Sequence, residues 1–260
     1  TVETPEGEII TQIRHIESSE PNFDQLDYLN NLCRYVCQHT PDENEMREKY
    51  LEVINREPQK RITRYAAGIM GGTGFAVFFG CNLRDAVIAF IVSVMIVAVG
   101  DWLAKRESNL LVYNGILAFI SEVIIIGALK MGIAEHPDRI MIGIVMLLIS
   151  GLSTTNGIRD LLQRDFISGF INIMNSFLGA AGIAFGIGLA ILLFHEGESD
   201  HFILNHSVPI QLISCTVACT GFALWFKIRG KQVWYNSIGA FFTWAIYVGI
   251  YAWKPSNFLA

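Results

Sequence analysis

Long apolar runs separated by short polar connections make up most of the sequence after residue 60. The runs cover Tyr65–Phe79, Ala86–Leu103, Leu110–Leu129, Ile140–Thr155, Phe166–Phe194, Pro209–Phe226 and Trp234–Trp253. A helix needs about 20 apolar residues to cross the hydrocarbon core of a bilayer, and most of these runs approach that length. The sequence therefore predicts an α-helical polytopic membrane protein, with about seven transmembrane helices in contact with lipid.

The composition supports a membrane protein with a polar appendage. Only 17% of the 260 residues are charged and 52% are hydrophobic, whereas an average soluble domain carries roughly 25% charge. Residues 1–59 hold 13 acidic and 5 basic side chains, and residues 60–260 hold 11 acidic and 14 basic ones. Because the polar part is acidic and would repel phosphate, no nucleic-acid partner is expected.

Residues 1–59 are expected to form a small α/β head domain. A Pro-Glu-Gly turn followed by alternating side chains from Ile9 to Ile16 predicts a hairpin. Helical periodicity predicts helices over Asn22–Gln38 and Asp42–Arg56. Since a sheet with one four-residue strand is marginal, the sequence also suggests that the head is truncated at its start or completed by another segment.

The distribution of lysine and arginine predicts the orientation. If the head lies in the cytoplasm and each of the seven runs crosses the membrane in turn, ten basic residues lie in cytoplasmic connections and four in outer ones. This excess follows the positive-inside rule. The ten are Lys60, Arg61, Arg64, Lys105, Arg106, Arg159, Arg164, Lys227, Arg229 and Lys231. The expected location is the inner (cell) membrane, with a cytoplasmic N-terminal domain.

A few polar side chains fall inside or beside the apolar runs. Glu122 lies in the middle of one run, with Asn114 eight residues earlier and close to the same helix face. An ionisable residue at that depth is expensive to bury, which favours a functional role such as carrying a coupled proton. A carboxyl group bonded across helices is the structural alternative. Asp85 is expected either to cap the second span or to lie at the mouth of a pathway.

The segment Ser150–Asp165 is the most polar connection between two apolar runs. Polar groups so close to the hydrocarbon region are tolerated where they line a cavity or a water-filled path, so Ser153, Asn156, Arg159 and Asp160 are candidates for a substrate route. Asn172 and Asn175, on the same side of the next run as Ser168, could bond helix to helix or touch the substrate. The short run before this segment suggests a helix that breaks within the bilayer.

No motif in the sequence points to an enzyme, a cofactor or a metal. GxSxG, Walker A and GxGxxG signatures are absent, and the loop His195–His206 has histidines and acids without helical ligand spacing. The cysteine pairs Cys33/Cys37 and Cys215/Cys219 lack further metal ligands and are expected to be buried small hydrophobic residues. Transport by this chain would therefore be driven by a gradient.

Three groups of residues resemble the threonine/serine exporter family. Phe78-Phe79-Gly80 with Asp85-Ala86 is similar to the family's turn into its second span. Asn156 to Leu162, with Asp165 and Ser168-Gly169, is similar to its Asn-x-x-x-Asp segment and the helix after it. Gly221 to Phe226 looks like the opening of its second module. Where the family usually has Pro-Gly-x-Pro, this chain has Ser150 to Ser153, and Glu122 lies outside the family pattern.

The resemblance implies a domain organisation. Residues 1–59 would be the cytoplasmic head, 60–194 a first module of five helices and 195–208 an extracytoplasmic loop. Residues 209–260 would be the first two helices of a second, truncated module. Because transporters built from repeats place substrate between their halves, the chain is expected to form a homo-oligomer or to pair with a second transmembrane module.

The resemblance also implies a function, export of threonine and serine driven by the proton gradient. Asn156 and Asp160 would bind the ammonium or hydroxyl group of the substrate, Arg159 its carboxylate, and Ser153 and Asn175 would complete the site. Glu122 or Asp85 would carry the proton. Two alternatives remain at this point: export of dicarboxylates, in which Arg159 and Arg164 would matter more, and a membrane sensor or scaffold whose head binds a cytosolic partner.

Overall fold

A computed structural model describes residues 2–3, 9–10, 22–107, 109–149, 151–194 and 207–253. Two short strands lie near the N-terminus, β1 (Val2–Glu3) and β2 (Ile9–Ile10). All other elements in these ranges are helices: α1 (Phe23–His39), α2 (Glu43–Ile54), α3 (Arg61–Phe78), α4 (Leu83–Leu103), α5 (Leu110–Lys130), α6 (Pro137–Leu148), α7 (Gly151–Leu162), α8 (Phe166–Phe194), α9 (Val208–Trp225) and α10 (Lys231–Trp253).

The head is helical, so the predicted α/β head domain is wrong. The strands β1 and β2 pair antiparallel with Val2 opposite Ile10, but two residues a strand are too few to form an independent sheet. The described part of the head consists instead of α1 and α2, joined by a hydrogen bond from the Tyr35 hydroxyl to Glu45 (2.6 Å). Local alternation of apolar residues predicted strands, but in the described residues no third strand extends the pairing.

The number of candidate membrane spans is also lower than predicted. Among the described residues, α4, α5, α8 and α9 are each long and apolar enough to cross a membrane. The helices α6 and α7 together form one further, bent candidate with 52° between their axes, which gives four or five spans rather than about seven. The helices α3 and α10 do not qualify, because α3 is rich in glycine and carries Arg61 and Arg64, whereas α10 is rich in aromatic and small polar residues.

The core of the bundle lies between α3, α4, α5 and α6. Small residues allow the glycine-rich α3 to approach its neighbours closely: a side chain at Gly143 of α6 would meet the backbone of Ala76 at 2.5 Å, and one at Gly221 of α9 would meet the backbone nitrogen of Gly71 at 2.5 Å. The buried apolar residues are mostly aliphatic, among them Ile88, Val92, Ile96, Ile125, Ile140 and Ile144.

Helix α8 forms a second layer against α5 and α7. Gly182 and Gly186 lie four residues apart on α8, a spacing that allows close helix packing. Side chains there would collide with the backbone oxygens of Leu111 and Gly115 on α5. Helices α7 and α8 also approach closely, since a side chain at Gly169 of α8 would meet the oxygen of Gly157 on α7 at 2.9 Å. Both neighbours of α8 therefore approach it backbone to backbone.

The head is attached to the turn between α9 and α10. Asp24 of α1 forms ion pairs with Arg56 (3.1 Å) and with Arg229 (3.6 Å). The amide of Phe23 donates a hydrogen bond to the carbonyl of Phe226 (3.3 Å), and the two rings meet edge to face. The start of α1 therefore lies at the end of the bundle where α9 finishes.

Candidate functional site

Most of the polar segment is a helix rather than a connecting turn, because α7 covers Gly151–Leu162. Helix α6 ends at Leu148, and the amide of Gly151 donates to the carbonyl of Ile149 (3.1 Å) instead of continuing the helical ladder. The predicted break thus occurs without proline, at a glycine that starts α7. The turn lies further along the chain, where Arg164 adopts a left-handed conformation (φ 67°) just before α8.

Asp160 is the centre of a polar cluster between α7 and α8. Its Oδ2 accepts hydrogen bonds from the hydroxyl of Ser168 (3.0 Å) and from Nδ2 of Asn172 (3.1 Å). Its side chain is only 14% exposed, whereas that of Arg159 is 64% exposed and lies 3.4 Å from Oδ1. Oδ2 is thus held by two neutral donors, while Oδ1 lies beside the exposed guanidinium of Arg159.

The cluster continues as a polar stripe along one face of α8. Ser168, Asn172, Ser176 and Gly179 recur at helical spacing, so they face the same side. The hydroxyls of Ser176 and Thr154 lie 2.6 Å apart. One turn further, the carbonyl of Gly179 accepts a hydrogen bond from Asn114 on α5 (3.3 Å). This polar stripe, defined by Ser168, Asn172, Ser176 and the Gly179 carbonyl, links α7 to α5 within an apolar bundle.

The remaining predicted substrate residues lie on the same two helices in different surroundings. Asn156 is half-buried on α7, and its side-chain amide has no hydrogen-bond partner among the described residues. Ser153 is also half-buried, one turn before it. Asn175 is exposed and lies off the polar stripe, although Asn172 lies on it. Sequence reasoning did not single out Ser176, although its spacing of four residues from Asn172 was the signal for it.

Glu122 and Asn114 lie on the buried face of α5, as the sequence predicts. Asn114 is 3% exposed and Glu122 is 1% exposed. Helix α8 covers α5 at Gly115 and Phe119, and Glu122 follows Phe119 by about one turn. The contact between α5 and α8 thus runs from Asn114, which bonds to the polar stripe, toward the buried carboxyl group of Glu122.

Asp85 joins the start of α4 to the start of α6. Its Oδ1 accepts hydrogen bonds from the amides of Glu135 (2.8 Å) and His136 (3.2 Å), and its Oδ2 lies 2.9 Å from the ring Nδ1 of His136. The cap of α4 is Asn82, which accepts from the amide of Asp85 (3.0 Å). The expectation that Asp85 caps α4 is therefore wrong, because its carboxylate serves the loop before α6 instead.

Asp85→Ala should destabilise the protein by about 1–3 kcal/mol, because it removes a buried carboxylate and leaves two partly buried amides without their acceptor. A thermal unfolding curve in detergent measures the loss. Arg84→Ala is the matched control at the neighbouring position: it removes only an exposed ion pair with Glu135, which should cost less than about 1 kcal/mol. Equal melting temperatures for the two variants would contradict this role of Asp85.

Two further expectations from the sequence have different outcomes. Cys33 and Cys37 are exposed rather than buried, and Cys215 and Cys219 are half-buried in α9. The loop His195–His206 lies outside the described residues. In the ranges that are described, no group of three histidine, cysteine, aspartate or glutamate side chains could hold a metal ion.

Comparison with known proteins agrees with a membrane transporter. The family model for threonine/serine exporters matches residues 1–194. The threonine/serine exporter of Corynebacterium glutamicum is 25% identical over 182 residues, which are 67% of this chain and 37% of that protein. The chain thus covers little more than a third of the curated relative's length. No solved structure matches the chain.

The match to the family model covers well over half of the 260 residues. Together with the apolar helices α4, α5, α8 and α9, it identifies a multi-pass membrane protein of a transporter family. The residues that first suggested this resemblance, Asn156 to Leu162, lie within the matched range. The chain belongs to the threonine/serine exporter family.

Proposed function

We propose that the protein exports threonine and serine across the inner (cell) membrane, in exchange for protons. The observation that carries this proposal is the polar stripe of α8, which bonds to Asp160, Thr154 and Asn114 between helices that are otherwise apolar. Polar groups inside a membrane bundle are costly and mark substrate pathways. The name of the curated relative supplies the substrate class.

The substrate groups match the polar groups of α7. Asp160 provides a negative charge for the substrate ammonium, and the half-buried amide of Asn156 provides a donor and an acceptor for its hydroxyl. Arg159 lies next to Asp160 and is exposed, so its guanidinium can reach a carboxylate. Ser153 lies on the same helix, one turn away. The resulting constellation binds a small zwitterion with a hydroxyl side chain.

Asn175 indicates a second surface that completes the site. It is exposed on α8, and its helical neighbours Ile171 and Leu178 are exposed apolar side chains. The relative is much longer than the region that this chain matches. The substrate-binding site is thus formed between this module and a second one, supplied by another transmembrane module or by another copy of the chain.

Glu122 is the proposed carrier of the coupled proton. It is buried on α5, two helical turns beyond Asn114, which bonds to the polar stripe. Asp85 is less suited to this role, because both of its carboxylate oxygens are engaged by the loop before α6. A carboxyl group that gains and loses a proton as the substrate moves would couple the two fluxes.

The basic side chains support a cytoplasmic head. Arg64 of α3 pairs with Asp101 of α4 (2.7 Å), which places the start of α3 and the end of α4 at one end of the bundle. Lys227 and Arg229 follow α9 at that same end, where the head is attached. An excess of lysine and arginine marks the cytoplasmic side of membrane proteins.

Efflux of labelled threonine from cells that express the protein tests this function. We expect faster efflux than from cells with an empty vector, and we expect loaded serine to compete with it. Competition by succinate but not by serine would instead support dicarboxylate export. Efflux no faster than in the vector control would contradict transport and favour a sensor or scaffold.

A further inference from the structure

A cavity of about 270 Å³ lies at the basic end of the bundle, beside the break between α6 and α7. Its walls come from the first turns of α3 and α5, the last turns of α6 and α9 and the residues that follow α9. Arg64, Lys227, Tyr113 and Asn114 provide polar groups, and Leu147 and Trp225 contribute to its apolar walls. Pockets for drug-sized ligands have about 300–1,000 Å³, so this cavity suits a smaller metabolite.

One side of the cavity is positively charged. Arg64 and Lys227 both line it. The guanidinium of Arg64 is held in place by Asp101 (2.7 Å) and lies 5.7 Å from the ring of Trp225. Arginine presents several donors in a fixed plane, so one edge can pair with Asp101 while another binds an anion. A carboxylate is therefore a suitable ligand for this side.

The other side of the cavity offers hydrogen-bond acceptors. Leu147, Leu148 and Ile149 line it at the C-terminal end of α6. The last carbonyls of a helix lack intrahelical donors and carry a partial negative charge. Here the amide of Gly151 donates to the carbonyl of Ile149, so it does not occupy the carbonyl of Leu147. Asn114 lies nearby with its Nδ2 bonded to Gly179, so its Oδ1 remains an acceptor. An ammonium group suits this side.

We propose that this cavity binds the zwitterionic backbone of an α-amino acid before it reaches the Asp160 cluster. The carboxylate pairs with Arg64 and Lys227, and the ammonium lies between the end of α6 and Asn114. Asn114 also bonds to the polar stripe of α8, which connects the cavity to α7. This inference rests on the proposed export function and adds an entry site to it. A dicarboxylate fits less well, because its second anionic group would meet the helix carbonyls.

Binding of labelled threonine to the purified protein in detergent tests the cavity. Arg64→Gln should weaken binding by about 10- to 100-fold, the typical range for a lost hydrogen bond to a charged group. Arg64→Lys should restore part of the affinity. Asp101→Asn should leave the affinity equal or tighter, because it frees the guanidinium for the ligand. Equal losses in Arg64→Gln and Asp101→Asn would show a merely structural ion pair and would overturn the proposal.

Modified ligands test the two sides without changing the protein. Threonine methyl ester lacks the negative charge and N-acetylthreonine lacks the positive one, so both should bind at least 10-fold more weakly than threonine. Arg64→Gln should not weaken the ester further, because the ester no longer presents a carboxylate. Undiminished binding of either analogue would overturn the proposal.

The cell efflux assay separates this inference from the function on which it rests. Threonine efflux that is unaffected by Arg64→Gln would overturn the entry site while leaving export intact. A wild-type protein that neither binds nor exports threonine would overturn both. Slower efflux in Arg64→Gln at low internal threonine, with recovery at high internal threonine, is the result expected of an entry site.

Discussion

Asp160→Asn is expected to reduce threonine export by about one to two orders of magnitude. The carboxylate is the negative charge proposed for the substrate ammonium, and a hydrogen bond to a charged group contributes about 1.5–3 kcal/mol. Asparagine keeps an oxygen that can accept from Ser168 or Asn172, so the contact between α7 and α8 should persist. Initial efflux rates at equal protein levels measure the effect.

Asp165→Asn is the matched control for this prediction. It removes the same charge from the same helical hairpin, but its carboxylate only caps α8 by accepting from the amide of Ser168 (3.3 Å). Asparagine caps helices about as well as aspartate does, so export should remain near the wild-type rate. If Asp160→Asn exports as fast as Asp165→Asn, the assignment of Asp160 to the substrate site is wrong.

Gly186→Ala and Gly182→Ala are expected to cause the largest losses of stability among glycine-to-alanine substitutions in α8. A methyl group at these positions would collide with the backbone oxygens of Gly115 and Leu111, and backbone atoms yield only if the two helices separate. Overpacking of this kind typically costs about 1–3 kcal/mol. In a domain of 150–250 residues each kcal/mol lowers the melting temperature by about 2–4 °C. Thermal unfolding in detergent measures the shift.

Gly188→Ala provides the control in the same helix. A side chain there would meet nothing within 4 Å, and alanine favours a helix over glycine by up to about 1 kcal/mol. The melting temperature should stay equal or rise slightly. A similar loss in Gly188→Ala and Gly186→Ala would mean that the close α5–α8 contact does not determine stability.

The parts of the fold that follow from local pattern could be predicted from the sequence. Long aliphatic runs gave α4, α5, α8 and α9, because length and apolar character are local properties. The close packing at Gly182 and Gly186 follows from their spacing. The buried positions of Asn114 and Glu122 follow from the helical period of an otherwise apolar run.

Other parts depend on partners that are distant in sequence. The alternation near Ile9 predicts strands, but a sheet needs further strands to pair with, and none is present in the described residues. Asp85 lies at a position typical of a helix cap, yet its carboxylate accepts hydrogen bonds from amides 50 and 51 residues away in the sequence. Such long-range contacts produce no periodic pattern in the sequence from which they could be predicted.

The candidate site was also predictable only where it depends on local sequence pattern. The polar segment on α7 was visible as polar residues between apolar runs, and Asp160 was among the residues chosen. A helix break was predicted from the short run before this segment, but its position after Leu148 was not, because no proline marks it. The cavity beside that break combines Arg64, Tyr113, Lys227 and Leu147 from four distant parts of the chain, so only the folded structure brings them together.

Threonine release from liposomes under an imposed pH gradient tests whether this protein, assembled from its own copies, exports an amino acid in exchange for protons. Purified protein is reconstituted with labelled threonine inside, and the outside is made acidic. We expect faster release than without the gradient and loss of that acceleration with a protonophore. We also expect Glu122→Gln to release threonine at the same rate with and without the gradient. Release no faster than from protein-free liposomes, with or without the gradient, would show that the protein is not a proton-driven threonine exporter.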